Sequence, residues 1–329
     1  MPTPFIGAQE ECGIAKEGTR GTATTPAYWI PKIDFSVENK PTYQSLDDSF
    51  GRIEDSDDQK LVMTGAEGNI VGRIGVSSFG LLLLALFGTD TPAPNGASYD
   101  HVFTVANNNQ HPSLTIEMKN PQQQLAFTLA MLDSLEIRCE AGKVVEFTGS
   151  FKSKAGVAAT HTPSYITTDY EFLMKHLSLK IAALSAGGYN AAGITSATAL
   201  AVKSFTMKPV KNIERNDTFG SLDPSDINNK SFAFEGTIVL QYADTVFKAL
   251  VDAGTPYCMA FDAKDTDDIL SGALNPELKI LFNKVYFTSF AKSTSRNDIV
   301  TQTITFKAVY NLVDSKMIQA TLTNNVATY

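Results

Sequence analysis

The chain is poor in the residues that build most recognisable sites. Its 329 residues hold three cysteines, Cys12, Cys139 and Cys258, far apart and odd in number. Neither a disulfide framework nor zinc-ligand spacing is present, and the three read as buried or idle thiols of a reducing compartment. His101, His111, His161 and His176 stand singly, without the HxxxH or HxH spacing of a metal site. No Gly-x-Ser-x-Gly elbow gives a serine hydrolase context, and Gly68, Gly72 and Gly75 do not fit a phosphate-binding loop. An acid–base pair is likewise missing, which argues against a hydrolase. The longest apolar run, Leu81 to Phe87, falls far short of the ~20 residues of a membrane helix. Met1 to Gln9 has neither the basic start nor the apolar core of a secretory signal. Basic residues are outnumbered, 27 against 35 acidic, for a net charge of −8. That argues against a surface that grips nucleic acid, though not against one past which nucleic acid slides. The expectation is a protein made in a cytoplasm, with no catalytic, cofactor or metal site.

What is present is a repeated unit. Ile70, Gly72, Ile74 and Val76 alternate with Asn69, Val71, Arg73 and Gly75, the period of a half-buried strand. Ser78 then stands where a cap belongs, before a short apolar helix from Phe79 to Phe87 that Gly88 stops. In the second half Phe232, Phe234, Gly236, Ile238 and Leu240 alternate. Asp244 is expected to cap a helix with Val246, Phe247, Leu250 and Val251 on one face, and Gly254 to stop it. Pro112-Ser-Leu and Pro276-Glu-Leu, and Phe151-Lys152 and Phe306-Lys307, match in the same order. Two copies of one domain are expected; the alternative is two unrelated β domains sharing generic alternation.

Residues 1–26, rich in Gly, Thr and Pro, read as an extended arm ordered against a neighbour. The first domain is expected over 27–160 and the second over 161–329. Strands are marked by Trp29 to Val37, Tyr99 to Val105, Leu114 to Met118, and a hairpin of Leu135 to Cys139 with Val145 to Phe151. Asp90 to Gln110 carries Pro92, Pro94 and a run of three Asn and otherwise gives no strand signal, and Ser185 to Ala199, a low-complexity Ala/Gly/Ser stretch, reads as a loop or a flexible hairpin tip. Leu177 to Ile181, Phe205 to Met207, Leu278 to Phe282, Val285 to Phe287, Ile304 to Ala308 and Ile318 to Leu322 mark strands of the second half. Many short strands with one helix per half predict a mainly β protein: two tandem β-sandwich or barrel domains, each with one flanking α-helix.

Two long polar loops stand out, Pro41 to Lys60 and Asn212 to Asn229, in which Phe50-Gly51 is echoed by Phe219-Gly220. The first carries Asp47, Asp48, Glu54, Asp55, Asp57 and Asp58; the second carries Asp217, Asp223 and Asp226. The first lacks the central Gly and distal Glu of a calcium loop, so a solvated charged loop is the default reading. A complementary surface on a neighbouring subunit, or a channel lining, is the functional reading. The helix Phe79 to Phe87 is apolar nearly all round, so both faces need cover. Its Leu81, Leu82, Leu84 and Phe87, with Phe247 and Leu250 of the second helix, are candidate subunit-contact residues.

Several stretches together resemble the tail tube proteins of long-tailed bacteriophages with non-contractile tails. They are the Gly/Thr/Pro-rich start leading to Trp29-Ile30-Pro31, the unit Gly72 to Gly88, and Tyr99-Asp-His-Val-Phe followed by His111-Pro-Ser-Leu-Thr-Ile-Glu. The resemblance covers most of residues 10–155, and the second half is similar more loosely. It implies a virion protein whose subunits join sheets into a ring, with rings stacked into a tube that conducts DNA. A duplicated chain implies trimers with pseudo-six-fold symmetry, assembled in the host cytoplasm without a membrane. The implied partners are further copies of itself, tape measure, tail terminator and distal tail proteins, and DNA that passes without specific binding. The two long loops are placed like the family's ring-stacking loops. A β-rich adhesin or carbohydrate-binding virion protein is the alternative; it would use exposed aromatic platforms, for which Tyr99, Tyr165, Tyr170 and Tyr189 are available but scattered.

Overall fold

Residues 4–54, 56–167, 169–271 and 273–329 are described by the computed structural model. Alternation of apolar and polar residues becomes strand along most of them. The first half runs β1 (Glu11–Lys16), β2 (Tyr28–Ile30), β3 (Lys32–Phe35), β4 (Glu38–Asn39), the hairpin β5 (Thr42–Leu46) and β6 (Asp58–Met63), and β7 (Ala66–Arg73). Helix α1 (Phe79–Phe87) follows, then the hairpin β8 (Gly88–Asn95) and β9 (Ser98–Val105), β10 (Leu114–Lys119), β11 (Gln124–Glu140), β12 (Glu146–Ser153) and β13 (Val157–Ala158). The second half holds β14 (Leu177–Ala183), α2 (Ala191–Ser196), β15 (Val202–Val210), the hairpin β16 (Ile213–Asn216) and β17 (Asp226–Asn229), and β18 (Ala233–Gln241). It continues with α3 (Val246–Ala253), β19 (Tyr257–Lys264), β20 (Glu277–Lys292), β21 (Thr301–Ala308) and β22 (Ile318–Asn324).

One continuous antiparallel sheet runs β3–β7–β12–β11–β15–β18–β21–β20, and it passes from the first half to the second where β11 meets β15. Strands β11 and β20 are long enough to serve two layers. The first part of β11 leaves this sheet to pair with β10, which carries β1 and then β2, while β13 lies on its other side. The first part of β20 pairs with β19 and through it β14, and on its other side with β22, β9 and β8. Side chains from the two layers interlock. Phe205 of β15 and Phe306 of β21 meet Phe261 of β19 and Phe282 of β20, with ring centroids 5.3 and 5.7 Å apart. No closed barrel forms among the described residues; the chain is mainly β, in large open sheets.

The same pairing steps occur in both halves. Strand β7 pairs with β12 as β18 pairs with β21, and β3 lies on β7 as β15 lies on β18. Strand β1 lies on β10 as β14 lies on β19, and β13 and β22 close on the first parts of β11 and β20. A register shift falls between Leu132 and Ser134 on β11 and between Phe287 and Ser289 on β20. Another falls between Lys32 and Asp34 on β3 and between Val202 and Ser204 on β15. The hairpins β5–β6 and β16–β17 each form a separate two-stranded sheet. Among the described residues the β8–β9 hairpin occurs only in the first half and α2 only in the second. One hydrophobic cluster, from Cys12 to Leu322, takes in residues of both halves.

Several details depart from the sequence expectations. Residues 11–16, expected within a loose arm, are β1, and Cys12, Ile14 and Ala15 are buried there. Glu17, also buried, accepts hydrogen bonds from Ser113 Oγ, Thr115 Oγ1 and the Leu129 and Gly21 amides, which fixes the segment. Gly236 faces Phe306 and Gly68 faces Phe151. Phe306 follows Phe151 in the repeat, so Gly68 rather than Gly72 is the partner of Gly236. A Cβ on Gly236 would stand 2.5 Å from the Phe306 ring. Pro112 precedes β10 and Pro276 precedes β20, strands with different places in the pairing order, so that match was fortuitous. Asp90 to Gln110 is largely the β8–β9 hairpin; Pro92 and Pro94 disguised β8, and such residues are tolerated because β8 is an edge strand. Within Ser185 to Ala199, Asn190 caps α2 through the Gly193 amide, and Ile194 packs on Cys258 and Ala260. Ser78 precedes α1 but makes no side-chain cap, while Gly88, at φ 90°, closes the helix as expected; before α3 the cap position is Thr245, one residue later than expected, though Asp244 still accepts from the Val246 amide.

Candidate functional site

The outward face of the continuous sheet is polar, and its charges answer one another. In one cross-strand row, Arg73, Glu146 and Arg138 stand side by side, followed by Thr206, Thr237, Thr305 and Ser289. Lys307 pairs with Glu235 at 3.3 Å, Arg138 with Glu136 at 2.7 Å, and Ser150 donates to Asn69 at 2.7 Å. The strands that supply these residues send Phe147, Phe151, Phe205, Ile238 and Ile304 to the other face, where all are buried. Period-two alternation therefore produces a wall of hydroxyls and paired charges backed by a rigid core.

The acidic residues of the first long loop lie on the β5–β6 hairpin and its tip. Asp47, Asp48, Glu54, Asp57 and Asp58 are exposed, and Asp58 pairs with Lys60. Asp55 lies outside the described residues. Beside them Phe50 is 61% exposed and Ile53 fully exposed. Such a concentration of large apolar side chains on an acidic loop is costly in water unless something covers it.

The acidic residues of the second loop have partners within the chain. Asp226 takes Arg20 and Gln110, Asp223 accepts from the Thr64 hydroxyl, and Asp217 pairs with Arg215 at 2.8 Å. Burial pushes the Asp226 carboxyl up, but Arg20, the Ile227 amide and Gln110 together hold it below the ordinary range. Beneath the hairpin, Ile213 and Ile227 pack on Leu129 and Met131 of β11. Its tip still presents Phe219, fully exposed, next to Gly220 at φ 91°, as Phe50 stands next to Gly51 at φ 70°.

The candidate contact helix is placed differently from the expectation. All nine residues of α1, including Leu81, Leu82, Leu84 and Phe87, are buried by the chain itself, against β8, β9 and β11. Phe79 meets Phe147 at 5.7 Å and Phe87 meets Phe232 at 5.9 Å. The second face is thus covered from within. In α3, Phe247 is buried against Phe287, Leu250 is half-buried, and Val246 is 52% exposed.

Three polar groups at the meeting of the halves, Lys211 buried and Arg20 and Asp133 half-buried, carried no sequence signal. Arg20 sits alone in a Gly/Thr stretch, yet its guanidinium reaches Asp226 and the carbonyls of His111 and Ile227. Lys211, between β15 and β16, is buried and donates to the Ala85 carbonyl near the end of α1. Burial, with the charge of Arg20, brings its ammonium down to about 7. Asp133 accepts from the Ile213 amide while its carbonyl accepts from Lys211. Elsewhere His176 Nε2 lies 3.3 Å from Asp265 and 3.2 Å from Asp267. The Leu173 amide donates to Nδ1, which leaves the ring proton on Nε2, facing both carboxylates, and Lys175 also pairs with Asp267. This cluster ties the start of β14 to the end of β19. Cys12 and Cys139 are pushed up to about 12 by burial, which keeps them as thiols.

A family model described as phage tail tube protein matches residues 7–308. A comparison with curated proteins returns no match.

Proposed function

The chain belongs to the phage tail tube protein family, a structural component of the virion, and from that premise we propose that its copies close into rings that stack as a hollow tube for DNA. The observation that carries the reading is the doubled pairing order around one continuous sheet. We take each half as one tail tube domain, the first extended from the expected 27–160 to take in β1 and the second 161–329, so that three chains supply six domains and a pseudo-six-fold ring. Contacts repeated about an axis close without leaving open sheet edges.

In this reading the polar wall of the sheet faces the lumen. Arg138 and Lys307 on it are paired with Glu136 and Glu235, and serine and threonine hydroxyls stand between them, so a phosphate backbone finds no continuous basic track to bind. The exposed β5–β6 hairpin, with Asp47, Asp48, Glu54, Asp57, Asp58 and Phe50, reaches an adjoining ring, and the tip at Phe219 contributes at the equivalent place in the second half. Tape measure protein inside the tube, and terminator and distal tail proteins at its ends, are the further partners. Assembly belongs to the host cytoplasm.

Negative-stain imaging of the purified protein at high concentration tests the reading, together with mass by light scattering. Hollow rings or tubes with a three-chain repeat are expected. Monomers at high concentration overturn the tube, and a ring of six chains overturns the doubling.

A further inference from the structure

The joint between the two halves predicts the joint between two copies. In the continuous sheet, the second part of β11 is paired on both sides, by β12 and β15. Among the described residues, the corresponding part of β20, Tyr286 to Lys292, is paired on one side only, by β21. Its counterpart at the other end of the sheet is the β3–β4 edge, paired on one side by β7. Strand β3 holds the place in the first half that β15 holds in the second. The chain therefore carries one completed joint, β11 with β15, and the two unmatched components of a second.

Burial follows the same division. Ser134, Ile137 and Cys139 of β11 are buried, whereas Thr288, Ser289, Ala291 and Lys292 of β20 are exposed. Phe205 and Met207 of β15 are buried, whereas Ile33 of β3 is 51% exposed and Phe35 only half-buried. Edge protection differs as well. The β8 edge of the second layer carries Pro92 and Pro94, which cannot donate to another strand. Tyr286 to Lys292 and Ile33 to Asn39 contain no proline.

We propose that the second part of β20 in one copy pairs antiparallel with the β3–β4 edge of a second copy, in the register by which β11 pairs with β15. The matching register shifts fix the correspondence: Ser134 with Ser289, and Asp34 with Ser204. Within the chain Ser134 faces Val210, Ile137 faces Met207 and Arg138 faces Thr206. Carried over, Ser289 faces Lys40, Ala291 faces Glu38, Lys292 faces Val37 and Ser293 faces Ser36 of the neighbour. Internal and intermolecular joints then alternate around the axis. The inference rests on the ring reading above and adds which edges meet, and in what register.

Disulfide trapping tests it. Ala291→Cys and Glu38→Cys are combined in one chain, both at exposed positions, and the assembled protein is oxidised. The native thiols are buried and stay inert in the single-substitution controls. Expected is a ladder of linked chains on a denaturing gel, absent from either single variant, with the peptide bearing position 291 joined to the one bearing position 38. Rings that form without this link, or that link better when position 40 or 36 replaces 38, overturn the edge or register while leaving the tube in place. Failure of the parent protein to form rings overturns the tube reading itself, and the joint with it. Ala291→Glu provides a second route: it sets a like charge directly opposite Glu38, and ring formation is expected to fall at least tenfold while the circular dichroism of the monomer is unchanged. Undiminished rings in that variant count against the edge.

Discussion

The two hairpins β5–β6 and β16–β17 hold the same place in the two halves, yet the chain mounts them differently. The first is exposed along nearly its whole length and has its acidic tip free in water. The second is fastened by Ile213 and Ile227 below, by Arg20 at one end, and by hydrogen bonds from Asn229 to the 108–109 turn. A hairpin of two strands is marginal by itself. The difference thus separates an element that can reach and adapt from one that is rigid and in position before any partner arrives. It also separates acids available to a partner from acids already spent on the fold.

The largest effect that would break this contrast is expected from Ile227→Ala. The side chain is fully buried between the hairpin and β11, and its loss should cost about 2–5 kcal/mol by the cavity rule. Denaturant unfolding should show the lower midpoint, and hydrogen exchange should show 213–229 gaining the fast exchange of 42–63. Arg20→Ala follows, at about 1–3 kcal/mol, because one guanidinium serves Asp226 and two carbonyls in a largely buried setting. The same exchange experiment reads whether the hairpin loosens; unchanged protection of 226–229 would count against Arg20 as its fastening.

Lys211 sharpens the comparison through pH. Its folded-state value, about 7, is below the ordinary lysine value, so the unfolded chain binds the proton more readily between the two. Its contribution is complete above the unfolded value and is lost as the pH falls through about 7. The difference in stability between wild type and Lys211→Met should therefore move in favour of wild type from pH 7 to pH 10, with a slope approaching about 1.4 kcal/mol per unit. Taking the difference removes titrations common to both chains. A flat difference would mean that water reaches the ammonium.

How far the sequence disclosed all this depended on periodicity. Strands such as β7, β12, β18 and β21 alternate strictly and could be read directly, as could the glycine stops of α1 and α3. Strand β11 could not be read beyond its second half, because residues 126–132 are buried on both sides where the strand passes between layers, and alternation vanishes there. Strand β1 is short and buried in the same way. The acidic residues drew notice as a class, but charge alone could not tell Asp226, held by a distant arginine, from Asp48 in open water. The burial of α1 was legible as a need for cover on all sides; that its own β8–β9 hairpin supplies part of that cover was not, since two prolines hid the first strand.

The smallest effect on the isolated chain, and the most discriminating, concerns the two phenylalanine tips. Phe50 and Phe219 each precede a glycine in left-handed geometry, and each is exposed. Serine removes little packing at Phe50 and none at Phe219, so unfolding should shift by less than about 0.5 kcal/mol. Assembly should separate them. Phe219 is carried by a fastened hairpin and loses little freedom when covered, whereas Phe50 rides on one that must be ordered first, at an entropic cost that offsets part of its contribution. Phe219→Ser should therefore raise the concentration needed for tube growth more than Phe50→Ser, as read by light scattering. Releasing the second hairpin with Arg20→Ala should then bring the two serine variants closer together, because the advantage of Phe219 resides in the mounting and not in the ring itself.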